Sequence, residues 1–341
     1  MDDLSQLRIC VEKPIRGEEH AIHNLYKKSN SIDHYKKLKA AFYTAKLWPK
    51  GSIIKLQFLP QSSNTQVASW TMIEEMKARR DADGSPSPID PIEYEIRKLS
   101  HQDAVKKVIQ ERIAPITDLK FDFVETGGNV RIGFDASKGS WSMLGTDCLR
   151  SQPGEKTMNF AWMDAATIMH ECGHLLGMIH EHDNPDQNPI QWNLPALYKW
   201  AEQTQGWTKA QVDHNIVNKY KISQLNASKF DPYSIMLYFF PASLTLNHKA
   251  TNINQRLSPV DVTYISKIYP GGALTPNAFY KKAYGKSIDK KTLPVVNISV
   301  KKLRSLPHAL LWIIPLFVII LIIVILIIRF VFFRKKKRRY F

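Results

Sequence analysis

One run, His170-Glu171-Cys172-Gly173-His174-Leu175-Leu176-Gly177-Met178-Ile179-His180-Glu181-His182, restricts this chain more than any other feature. On an α-helix of 3.6 residues per turn, His170 and His174 stand on one face, so both imidazoles can reach the same metal ion. Glu171, beside the first of them, is directed towards the open side of that ion, where a carboxylate can take a proton from water. A third histidine on the same straight helix would lie too far along the axis, so the chain must turn back before His180. Gly177 is the residue able to adopt φ > 0 there. Zinc is the expected ion, because neutral imidazoles around an open position suit it. The bland alternative is a polar helix whose histidines only satisfy hydrogen bonds. With Gly177 and His180 included, the pattern should arise by chance in on the order of one chain in 10⁵.

The run from His170 to His180 resembles the signature of the metzincin zinc endopeptidases, and Glu181 directly after it makes the chain similar to the astacin branch of that clan. That resemblance implies a methionine turn downstream, and Ser234-Ile235-Met236-Leu237-Tyr238 matches it. By resemblance, Met236 would form the floor of the site and Tyr238 would lie near zinc and help stabilise the oxyanion. Leu237 stands where many astacins carry a histidine, a change expected to be tolerated. The implied fold is α+β: a twisted, mostly parallel sheet with an antiparallel edge strand, an active-site helix and a small C-terminal subdomain. Such an edge reads main chain rather than one side chain, which suits cleavage of internal bonds in a protein or peptide substrate. Residues 130–142 are the candidate edge.

The net charge of +16 suggests nucleic acid until it is located. Residues 281–341 hold 15 Lys or Arg and one acid, which leaves residues 1–280 at +2. No basic patch interleaved with aromatics flanks the metal motif, so no nucleic-acid partner is expected.

Residues 1–46 contain no apolar run resembling a secretory h-region and are a propeptide candidate; Cys10 reads as a buried thiol. Trp48-Pro49 and the strand pattern Ser52–Leu59 are similar to the start of astacin-like catalytic domains, which places the peptidase domain at 47–270. Apolar periodicity predicts helices over 65–80 and 102–114. Strands are expected at Leu119–Val124, at Val130–Phe134 and around Trp141 and Met158, and further helices over 195–204 and 208–217. Another helix begins at Ser258-Pro259, a cap followed by a proline at the first helical position. His101, His214 and His248 lack ligand spacing and are expected at the surface.

Residues 271–308 read as a basic linker. Ala309–Ile328 carry no charge over twenty residues, enough to cross a hydrocarbon core of about 30 Å, and 329–341 form a polybasic tail. A single-pass membrane protein with the lipid bilayer as partner is therefore expected. The orientation is open: a helix so near the C-terminus favours a cytosolic catalytic domain, whereas the basic tail favours the reverse. The expected activity is that of a membrane-anchored zinc metalloendopeptidase. The competing class is an inactive binding protein on a peptidase scaffold.

Overall fold

The structure, a computed structural model, describes residues 46–60, 77, 79, 84–184, 188–218 and 230–289. The propeptide candidate up to residue 45, all of the 65–80 helix except Lys77 and Arg79, and residues 290–341 with the expected membrane helix lie outside the described residues. Among the described residues, no helix is long and apolar enough to cross a membrane.

Alternation in Ser52–Leu59 yields strand β1 (Ile53–Phe58): Ile54 and Leu56 are fully buried, while Ile53 and Lys55 face outwards. Two helices follow, α1 (Ile92–Ile96) and α2 (His101–Val108). The second is capped by Ser100 and continues through a wide turn, Ile109–Ile113, into a short 3₁₀ turn containing Pro115. Next come β2 (Lys120–Phe123), β3 (Val130–Gly133), β4 (Trp141–Ser142) and β5 (Met158–Asn159). The sheet order is β2-β1-β3-β5-β4. All its pairings are parallel except β4 with β5, where Trp141 faces Asn159 and Ser142 faces Met158.

The sheet is thus mostly parallel with one antiparallel pair at its end, as expected. The candidate edge segment 130–142 needs a correction, because β3 lies inside the sheet and is buried along its whole length; within that segment Trp141–Ser142 alone lies at an edge, β2 being the other. Helix α3 (Ala165–Leu175) packs against β4, α1 and α2, so the sheet and the two preceding helices fix its position.

Beyond it lie α4 (Leu194–Gln205), α5 (Lys209–Val212), α6 (Pro259–Ile268) and α7 (Pro276–Tyr284). The last of these falls inside the expected linker. Its breakers are caps rather than loop residues: Thr275 accepts from the Ala278 N–H, Pro276 opens the helix, and Gly285 closes it in the left-handed region. Phe279 and Tyr280 are buried, and the Tyr284 hydroxyl donates to Asp90, which also forms a buried ion pair with Arg112 at 2.7 Å. The folded part thus runs past residue 270. His248 is exposed, whereas His101 is half-buried against Phe134.

Candidate active site

Helix α3 brings its own hydrogen bonds and needs only its ends satisfied. At the N-terminus, Asp164 caps the Thr167 N–H at 2.7 Å and Glu93, from α1, accepts from the Ala165 N–H at 2.6 Å. Burial, with Asp164 nearby, pushes the Glu93 carboxyl up to about 7. At the C-terminus, Gly177 takes φ +89°, and the Gly177 and Met178 N–H groups return to the carbonyls of His174 and Gly173. That is a Schellman ending. The Trp48 indole and the Tyr269 hydroxyl satisfy the last carbonyls, those of Leu175 and Leu176.

The turn at Gly177 does two things. It brings His180 back to the helix, and it places the Met178 carbonyl 2.9 Å from His174 Nδ1. His170 Nδ1 lies 2.8 Å from the Ile235 carbonyl. Carbonyls only accept, so both Nδ1 atoms carry the proton and both Nε2 atoms keep a lone pair. One ring nitrogen each from His170, His174 and His180 lies within 4.8 Å of the others, and all three residues are buried. His170 Nε2 is buried with no hydrogen-bond partner among the described residues. An orphaned buried lone pair is costly in a protein interior and is satisfied by an ion held between the rings. Burial, reinforced by His174, pushes His170 down to about 3, so the ring stays neutral and able to ligate. The three histidines fit a zinc ion.

The opposite wall is the turn Ser234–Tyr238. Met236 is fully buried, and its sulfur packs against the backbone of Gly173, where any Cβ would collide with it. Asp261, from the first turn of α6, holds this wall by accepting from Ser234 Oγ at 2.7 Å, from the Ile235 N–H at 2.8 Å and from the Ser258 N–H at 2.9 Å. Asp231 accepts from Ser258 Oγ at 2.6 Å. Glu181 joins the two walls: its N–H donates to the Met236 carbonyl at 3.0 Å, and its carboxylate accepts from the Asp231 N–H at 2.8 Å. Burial raises the pKa of Glu181 well above the usual carboxylate range, and burial with the Asp231 charge pushes Asp261 up to about 7. The Tyr238 hydroxyl lies 2.5 Å from His180 Nε2, which puts the phenol oxygen beside the three-histidine group.

Glu171 lines a cleft between these walls together with His170, Tyr238, Trp162, Leu237 and Asp164. The structure therefore brings Glu171, Tyr238, Met236, Glu181 and Gly177 to the ligand group. Sequence reasoning missed Glu93, Asp231 and Asp261. Asp261 had a local signal, the Ser-x-x-Asp capping box that opens α6, but its second task on the turn at 234–238 is long-range.

The family model for Astacin, a peptidase family, matches residues 87–269. No curated protein matches the chain. Among solved structures, that of myroilysin is similar at 27% identity and TM-score 0.50, covering 67% of this chain and 98% of its own. High choriolytic enzyme 1, a hatching enzyme zinc-protease from Oryzias latipes (Medaka fish), aligns at 18% identity and TM-score 0.38, covering 66% and 95%. The family match spans more than half of the chain and contains all three histidines, so the chain belongs to the astacin family of peptidases and is a zinc metallopeptidase.

Proposed function

We propose that the chain is an endopeptidase that hydrolyses internal peptide bonds of proteins, with Glu171 as general base. The observation that carries this reading is the orphaned lone pair of His170 within the three-histidine group, in a cleft shared with Glu171 and Tyr238. Zinc, when bound, supplies the Lewis acidity that acidifies water and polarises the scissile carbonyl. Glu171 takes a proton from the attacking water and later delivers it to the leaving amine. Tyr238 donates its hydroxyl to the developing oxyanion. The carbonyls of Ile235 and Met178 hold His170 and His174 in the tautomer that leaves Nε2 bare. The place of β4 at the end of the sheet order suits an extended substrate strand laid beside it.

The test is Glu171→Gln. With one zinc per chain retained, casein cleavage should fall by about 10³-fold, within the range removal of a general base produces. Cleavage at the wild-type rate by the zinc-loaded variant would overturn the mechanism.

The same proposal includes a membrane tether, supported by the uncharged run Ala309–Ile328 and the basic tail that follows it. The full chain should resist carbonate extraction from membranes, and a chain ending at residue 308 should not. Release of the full chain into the carbonate wash would remove the tether. Protease protection of the retained protein then shows which compartment holds the catalytic domain.

A further inference from the structure

His182 belongs to the same run as the ligands, yet the mechanism above gives it no task. It is fully buried, in the 3₁₀ turn Glu181–Asp183. Its Nε2 lies 3.0 Å from the Asn215 carbonyl, so that nitrogen carries the proton and the ring's rotation is fixed. Trp192 and Phe240 meet the ring edge-on, at centroid distances of 6.5 and 5.3 Å. His180 stacks on it at 5.1 Å and 17°, and Tyr238 lies 5.2 Å away at 33°. A metal ligand and the phenol that serves the oxyanion therefore lean on one immobilised ring.

We propose that His182 is a positioning residue for Tyr238: its plane, boxed by Trp192 and Phe240, aims the Tyr238 hydroxyl at the three-histidine group. This rests on the role given to Tyr238 above. A misplacement of about 1 Å at a reacting group can cost on the order of a hundredfold in rate, so a flat and rigid backing has a kinetic consequence out of proportion to its contact energy.

The experiment is a double-mutant cycle on the full zinc-loaded chain with a peptide substrate, using Tyr238→Phe, His182→Leu and His182→Phe. His182→Leu keeps roughly the volume and loses the plane; His182→Phe keeps the plane. His182→Leu should lower kcat about tenfold or more with KM changed less than about twofold, and His182→Phe should stay within about threefold of wild type. In the Tyr238→Phe background, His182→Leu should cost less than about twofold more. Zinc affinity, measured by chelator competition, should change less than about threefold in both His182 variants, because the three ligating rings are untouched.

Equal losses from His182→Leu in both backgrounds overturn the positioning role and leave that of Tyr238 standing. So does a drop in zinc affinity of about tenfold or more, which would place the effect on His180. Wild-type kcat in Tyr238→Phe alone removes the role of Tyr238 and the proposal with it. Should His182→Leu not fold, a loss of about tenfold or more in His182→Phe overturns the proposal by itself.

Discussion

The two walls of the cleft are held by different means. Helix α3 carries a continuous ladder of its own bonds and borrows partners only at its ends, from Asp164 and Glu93 at one terminus and from Trp48 and Tyr269 at the other. The turn Ser234–Tyr238 has no such ladder: the Met236 and Leu237 N–H groups fold back on Ser234, and the Ile235 N–H and the Ser234 hydroxyl are held from outside by the buried carboxylate of Asp261. A regular element can sit in a dry interior almost unaided, whereas an irregular segment there needs acceptors from outside, and buried carboxylates bring a dependence on pH. The ligand wall should therefore respond chiefly to backbone geometry, with charge entering only where Glu93 caps it, and the turn wall to charge.

Asp261→Ala is the severest way to break this contrast. It strands two buried N–H groups and a hydroxyl, and should cost about 3 kcal/mol or more in urea denaturation. A loss under about 1 kcal/mol would mean that the turn does not depend on that carboxylate.

The same residue sharpens the contrast through pH. In the folded chain Asp261 keeps its proton up to about 7, against 3.8 for an ordinary aspartate. Unfolding thus releases a proton between those values, and the stability of the folded state should fall as pH rises from about 4 to about 7. Asp261→Asn should lessen that slope, leaving the share that Glu93 and Glu181 contribute, which parallel urea titrations of the two proteins would show.

On the helix side, Gly177→Ala forces φ +89° on a residue with a Cβ, and that Cβ meets a Leu47 methyl at 2.9 Å. The expected cost is about 2 kcal/mol, measured as a lower melting temperature, together with weaker zinc binding as His180 shifts. Asp164→Ala, which removes one cap from a helix otherwise well tied, should cost only about 1 kcal/mol.

What could be read without coordinates follows the same division. His170, His174 and His180 were legible because a helical period and one turn-forming glycine set their relation, all within eleven consecutive residues. Strand β1 was legible from alternation. The acids behind the turn were not, since Asp261 meets Ser234 from 27 positions away and Glu93 meets Ala165 from 72, and no periodicity encodes such pairings. Helix α7 was hidden for another reason: Thr275, Pro276 and Gly285 look like linker punctuation until the helix they bound is seen. β3 misled in the opposite sense, because a strand buried on both faces gives little sign of whether it lies inside a sheet or at its rim.

The absent side chain at Gly173 reaches further than its size suggests. Because the Met236 sulfur occupies the space where a methyl would be, the ligand-bearing helix and the loop beneath it behave as a matched die and counter-die. A designer who grafted the histidine run onto a foreign scaffold without the methionine loop would leave a groove along the transplanted helix. One who enlarged residue 173 would lever the loop, and Tyr238 with it, away from the ion.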